Sequence, residues 1–296
     1  MNSGPNFISI IERINEIESK FHRDLLALLS SPFVFKPFFP KSLLFELHEF
    51  NRFEELWNWF ESVEIEPYKQ GLEKIRLGKY AEELISFYFQ NSPTYSLLGH
   101  NLQLIDGKLT VGEIDYLLQE NSTKNRIHLE LAIKFFLKIK IDGEYQWIGP
   151  STKDNLSKKR NKLLNHQLRL IENYNRLIPI EHQKKDFTPQ LLLKGAEFFH
   201  FKEYVASENP LKNAWWLHHE QLKDIHQENQ YYAIVPNRKD WIFPFNKRLE
   251  RMSFDQLYSE VSDYLDLQNE ILISRFLEDG TPLDRGFVVR SNWPFI

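Results

Sequence analysis

Apolar residues recur with two different periods along the chain, and the switches between them divide it. Ile8, Ile11, Ile14 and Ile17 keep helical spacing, residues 24 to 29 continue it, and residues 43 to 60 form an aromatic-rich amphipathic stretch. Residues 7 to 62 are therefore expected to be helical, except across residues 31 to 40, where three prolines exclude helix and mark a loop carrying buried aromatics. Residues 64 to 67 read as a break, and a further helix is expected over 68 to 90, with Leu72, Ile75, Leu84, Ile85 and Phe89 on its apolar side.

Past Gln90 the period becomes two. Strands are expected over 95 to 105, 109 to 119 and 126 to 141, joined by the hairpin signal Asp106-Gly107 and by the polar segment 121 to 125. Asp142-Gly143 closes another turn before a short strand over 144 to 148. Residues 155 to 175 return to helical spacing, with Leu156, Leu163, Leu164, Leu168 and Ile171 opposite Lys158, Lys162 and Arg169. Strands over 190 to 193 and 197 to 202 follow around Gly195. The remainder is expected to hold strands over 231 to 235, 241 to 243 and 286 to 289, and one helix over 253 to 276. The fold class is thus α/β, with a helical extension over 1 to 66, a core of helix, mixed sheet and helix over 67 to 205, and an α+β portion over 206 to 296.

The two central strands carry the candidate chemistry. Alternation places Glu113, Asp115 and Leu117 on one face, and His128, Glu130, Ala132 and Lys134 on one face of the next strand. Asp115 and Glu130 side by side repel unless a cation lies between them, which suits an all-oxygen Mg²⁺ (or Mn²⁺) site. Glu82 on the preceding helix is a third acid within reach, and Gln167 lies on the apolar face of the later helix, where a buried amide needs partners. Such a set supports metal-assisted hydrolysis of a phosphodiester, with Lys134 stabilising charge on the phosphate. Spacing alone equally allows a solvated face with cross-strand ion pairs, a satisfied core amide at Gln167 and a surface acid at Glu82.

Composition narrows the alternatives. The chain has 296 residues and no cysteine, which removes thiolate catalysis and Cys-based zinc sites and fits a reducing compartment. No GxGxxG or GxxxxGK[ST] motif cradles a nucleotide phosphate. No leader-like segment or membrane-length apolar run is present, so the expected location is cytoplasmic and no membrane is involved. A net charge of −4 argues against a wholly basic nucleic-acid coat. Lys153, Lys158, Lys159 and Lys162, with Arg160, still form a local basic run that suits either a nucleic-acid backbone, expected to be DNA, or a solvated helix face. Trp215-Trp216-Leu217-His218-His219 reads as core rather than as a metal site, and nothing in the sequence names a protein partner.

Leu77-Gly-Lys-Tyr-Ala-Glu82, Gly112-Glu-Ile-Asp-Tyr-Leu-Leu118, His128-Leu-Glu-Leu-Ala-Ile-Lys134, His166-Gln-Leu168, Trp215-Trp216 and Arg285-Gly-Phe-Val-Val289 together resemble the bacterial domain of unknown function 1853 family. That family is similar to the PD-(D/E)XK nucleases, whose restriction-endonuclease-like core is a helix, a mixed sheet, a second helix and a further strand. The resemblance implies Glu82 as the first-helix acid, Asp115 as the metal-binding aspartate, Glu130 as the second acid, and Gln167 as the second-helix glutamine of exonuclease-like members. One position departs from the pattern. The superfamily lysine falls two residues after the second acid, where this chain has Ala132, and Lys134 lies about 6.7 Å further along at roughly 3.3 Å per residue. The expectation is a metal-dependent nuclease acting on DNA, with Asp115 and Glu130 as metal ligands. The alternative is an inactive nucleic-acid-binding or protein-interaction module that keeps the same fold.

Overall fold

The computed structural model describes residues 7–45, 53–63, 71–183, 185–206, 211 and 213–294. Seven α-helices and nine strands lie among them: α1 (Phe7–Glu16), α2 (Lys20–Ser30), α3 (Phe53–Ser62), α4 (Leu77–Gln90), β1 (Tyr95–Asp106), β2 (Leu109–Glu120), β3 (Arg126–Ile141), β4 (Glu144–Ile148), α5 (Leu156–Asn165), α6 (Leu170–Tyr174), β5 (Thr188–His200), β6 (Asn213–His218), β7 (Gln230–Val235), α7 (Phe254–Leu267), β8 (Glu270–Leu277) and β9 (Pro282–Val289). The strands form a mixed sheet in the order β1-β2-β3-β5-β6-β9-β8-β7, with β4 paired to β3 off this path. The expected α/β class with a mixed sheet is what is found.

The chain folds as two compact units. The first comprises Met1–Val34, Lys134–Leu156 and Gly195–Ile296, and the second Phe35–Ile133 and Ser157–Lys194. Strands β3 and β5 each pass from one unit into the other.

In the first unit β6 runs parallel to β5 and to β9, while β9, β8 and β7 pair antiparallel. Its core gathers Trp215, Leu217, Tyr232, Ile271, Ile273 and Val288 from the strands under Leu257, Val261 and Leu265 of α7. Helix α7 starts where Ser253 and Gln256 satisfy each other's backbone amides, a capping box. Trp215 and Trp216 are both buried, as the sequence suggested. Trp215 Nε1 donates to Asp284 (2.8 Å), and Arg275 binds the same carboxylate with two nitrogens at 2.7 and 2.5 Å.

In the second unit β1, β2 and β3 form an antiparallel meander. Leu104, Ile114 and Leu117 pack with Leu170, Ile171 and Ile178. An aromatic chain links Phe45, Phe89, Tyr95 and Tyr116, tying α4 and the loop before α3 to the strands.

Several expected elements are redrawn. Among the described residues of the stretch 43 to 60, the α-helix is α3; Leu43 ends a 3-10 turn, Leu44 bridges to Leu191, and the Phe45 amide donates to the Leu191 carbonyl (3.0 Å), which holds Leu44 and Phe45 extended. Residues 46–52 of that stretch, like the expected break at 64 to 67, lie outside the described residues. The helix expected over 68 to 90 begins only at Leu77, after turns around Gly71, while 68–70 are also outside the described residues. The helix over 155 to 175 is broken at His166, whose backbone (φ −133°, ψ −66°) leaves the helix, and a 3-10 turn Gln167–Arg169 follows. The two strands around Gly195 are one, β5. At φ +128°, and with the Lys134 carbonyl oxygen 1.8 Å from where a Cβ would stand, only glycine lets the strand continue. Residues 241 to 243 are not a strand, because the Asn237 side chain caps a 3-10 turn Arg238–Trp241. The helix expected over 253 to 276 ends at Leu267, and the β-branched Ile271 and Ile273 belong to β8, whose near-continuous burial mimics a buried helix in sequence. Strand β6 has no counterpart among the expected elements.

Candidate active site

Helix α4 places Lys79 and Glu82 three residues apart, hence on one side of the helix. Strand β2 is fixed to that helix by Tyr116, whose hydroxyl donates to the Glu82 carbonyl (2.6 Å) and whose ring lies 5.5 Å from that of Phe89. Ile114 and Leu117 of the same strand pack with Leu170 and Ile171 of α6. Gly112 permits that approach: a Cβ there would lie 2.5 Å from Leu170 Cδ2. Carboxylate oxygens of Glu82, Glu113 and Asp115 all lie within 4.8 Å of one another.

Strand β3 brings the fourth acid. The ladder runs Leu117↔His128 and Tyr116↔Leu129 and ends there, just before Asp115 and Glu130. There the Leu131 amide donates to Asp115 Oδ2 (2.8 Å). Glu130 is fully buried, with Oε1 3.0 Å from His128 Nε2 and Oε2 accepting from Gln167 Nε2 at 2.6 Å. Lys159 of α5 donates to Gln167 Oε1 (3.1 Å), so the glutamine links an ammonium to a carboxylate. Lys79 donates to Glu82 (2.7 Å) and to Glu113, and so occupies the position of a cation between two of the acids.

The electrostatics follow from this crowding. Burial, then the charges of Glu130 and Glu82, raise Asp115 well above the ordinary carboxylate range, against the Leu131 amide and Lys159. Burial pushes Glu130 up to about 8, although Lys159, the Asp115 amide and Gln167 pull it down. Glu82 is raised by burial despite Lys79. Burial lowers His128 to about 4, so it is a neutral imidazole at pH 7. Buried acids with raised pKa values occur at sites that bind a cation or transfer a proton, and also in structural ion-pair networks.

Of the residues expected from sequence, Glu82, Asp115, Glu130 and Gln167 come together in the second unit. The sequence points to Asp115 and Glu130 as the metal pair; the group of three acids whose oxygens lie within 4.8 Å of one another is Glu82, Glu113 and Asp115. Lys134 belongs to the first unit, where its ammonium pairs with Asp154. The ammonium groups brought to the acids within the second unit are instead Lys79 and Lys159. In the sequence Lys159 stands out only as part of the basic run. Within that run Lys158 and Lys162 are exposed on α5, and Lys153 is exposed in the first unit. Lys79 and Glu113 were not singled out as site residues. Their signals were the three-residue step from Lys79 to Glu82 and the two-residue step from Glu113 to Asp115.

The fold and the acid cluster define an α/β protein with a partly buried carboxylate cluster between a helix and two antiparallel strands. By sequence the chain belongs to a family described as a domain of unknown function (DUF1853), whose family model matches residues 23–289. Neither the curated proteins nor the solved structures include a match to it. Among the described residues no helix is long and apolar enough to cross a membrane.

Proposed function

We propose that this protein is a metal-dependent phosphodiester hydrolase acting on nucleic acid, with DNA as the expected substrate. The observation that carries the reading is the convergence of Glu82, Glu113 and Asp115 within 4.8 Å, next to a Glu130 that burial holds near pKa 8. An all-oxygen donor set of this kind fits Mg²⁺ or Mn²⁺. Asp115 and Glu130 would hold the ion, with Glu82 and Glu113 completing the acidic wall. Such an ion, when bound, polarises a phosphoryl oxygen and lowers the pKa of a bound water.

The chain's own residues supply the rest. Gln167 and His128 orient the Glu130 carboxylate through its two oxygens, and the Leu131 amide orients Asp115. Lys159 offers the positive charge for the phosphate that the sequence pattern assigned to Lys134, because it lies close enough to lower both Asp115 and Glu130. Lys79 neutralises Glu82 and Glu113 before a cation arrives. The exposed Lys158 and Lys162 on the same helix as Lys159 suit a phosphate backbone approaching that side. The order α4, β1, β2, β3, α5, β5 is also the helix, sheet, helix and strand order of the PD-(D/E)XK nucleases that the sequence resembles.

The test is cleavage of plasmid and linear DNA by the purified protein with Mg²⁺ or Mn²⁺. Cleavage is expected for the wild type, and its loss for Asp115→Ala. Equal cleavage by that variant would remove the assignment. No cleavage by either protein, together with salt-sensitive DNA binding, would favour the inactive binding module.

A further inference from the structure

The first unit carries a cluster of lysines and aromatic rings that the proposed function does not use. Past Lys134, strand β3 pairs with β4 in the register Lys138↔Trp147 and Lys140↔Tyr145. Residues directly opposite in an antiparallel pair share a face, so two lysines and two aromatic residues stand on one side of this hairpin. Phe199 of β5 joins them, its ring 5.4 Å from that of Trp147. The Lys138 ammonium lies 4.0 Å from the centre of the Tyr145 ring and 5.6 Å from that of Phe199, and the Lys140 ammonium lies 5.9 Å from Tyr145.

Two ordinary explanations do not cover this face. Lysines protect the edge of a sheet when they sit on the edge strand itself. Here they sit on β3, while the flanking strand β4 carries the aromatic residues, with Tyr145 53% exposed. Cross-strand ion pairing is the other explanation, and neither Lys138 nor Lys140 has a carboxylate partner among the described residues. Glu144 opposes Ile141 and so alternates to the other face, whereas Glu197 shares the Phe199 side of β5 and leaves the lysines in excess.

We infer that this face holds a single-stranded segment of nucleic acid, with a base on Tyr145 and phosphates on Lys138 and Lys140. Positive charge interleaved with aromatic rings is what such a strand needs, because every base has a π-face and every linkage a negative charge. Lys138 approaches one side of the tyrosine ring, yet more than half of the residue remains open to a base. An acidic peptide would match the lysines and leave the rings unused, and a duplex keeps its bases stacked inside. The inference goes beyond the hydrolase reading, since a strand is held here whether or not it is cut.

The test uses the full-length protein with EDTA, so that nothing is cut. Fluorescence anisotropy follows a labelled single-stranded oligothymidylate, with unlabelled strand and polyglutamate as competitors. Saturable binding that polyglutamate displaces far less well than unlabelled strand is expected. Tyr145→Ala should weaken it by about tenfold or more, the loss of one stacked base. Tyr145→Phe, which keeps the ring, should retain it and guards against misfolding of the alanine variant. Changing Lys138 and Lys140 together to Gln should reduce the slope of log affinity against log salt by about 1.4. The proposal is overturned if the strand does not bind, if polyglutamate displaces it as well as unlabelled strand does, or if Tyr145→Ala, folded by circular dichroism, binds like wild type. Strand binding that needs Tyr145, in a protein that never cuts DNA, would keep this surface and discard the hydrolase. Metal-dependent cutting by a protein whose strand binding ignores Tyr145 would do the reverse.

Discussion

Glu130→Gln removes one negative charge from a fully buried position while keeping the shape of the side chain. In the folded protein Glu130 titrates at about 8, against an ordinary value of 4.5, and burial is the largest cause. Below pH 4.5 the group is protonated in both folded and unfolded chains, and it contributes no pH dependence. Between 4.5 and about 8 the unfolded chain releases the proton and the folded chain keeps it, so stability falls as pH rises. The interval corresponds, at about 1.36 kcal/mol per pH unit, to on the order of 4–5 kcal/mol lost by pH 8 and constant above it. Coupling to Asp115 divides that penalty between the two acids, so about half is the expected effect of changing Glu130 alone. The Gln side chain retains an oxygen for Gln167 and an amide toward His128. Urea unfolding from pH 5 to 9 should therefore give nearly equal stabilities at pH 5 and a variant about 2 kcal/mol more stable than wild type at pH 9. Saturating Mg²⁺ should raise the stability of wild type and close most of that gap. Parallel stability curves, or a variant less stable at pH 9, would refute the claim that the site holds uncompensated negative charge.

Other perturbations follow from the same geometry. Lys79→Met takes the built-in cation from Glu82 and Glu113, so the metal-free protein should lose stability in thermal unfolding while its stabilisation by Mg²⁺ grows. Asp284→Ala leaves Arg275 buried without its carboxylate and strips Trp215 of its acceptor, and chemical denaturation should record a loss of about 3–5 kcal/mol. Gly195→Ala must force a side chain onto φ +128° against the Lys134 carbonyl; the backbone strain alone costs about 1–3 kcal/mol, visible as a lowered melting temperature. Changing Lys158 and Lys162 together to Gln should weaken DNA binding uniformly across sequences and reduce the slope of log affinity against log salt by roughly 2, measured by fluorescence anisotropy.

The parts of the site that were legible in the sequence are those set by local periodicity. Strand alternation was enough to place Asp115 with Glu113 and Glu130 with His128, and the turn signals at Asp106-Gly107 and Asp142-Gly143 mark where β1 gives way to β2 and β3 to β4. What sequence reading could not provide were relations between elements. Lys134 has the right parity on β3, yet its partner is Asp154, whereas Lys159 reaches the acids from a helix through Gln167. The break at His166 that presents Gln167 to Glu130 leaves no mark in an otherwise continuous apolar pattern. Strand β8 was read as helix for a related reason. Nearly all of its residues are buried, so the polar alternation that would have revealed a strand is missing.

The central claim is that the buried acids exist to hold a divalent cation, and calorimetric titration of Mg²⁺ into wild type and Asp115→Ala tests it most directly. The predicted result is saturable binding by wild type, accompanied by proton release that shows as a dependence of the heat on the buffer, and no binding by Asp115→Ala. Absence of binding in wild type, or equal binding in the two proteins, would contradict the account.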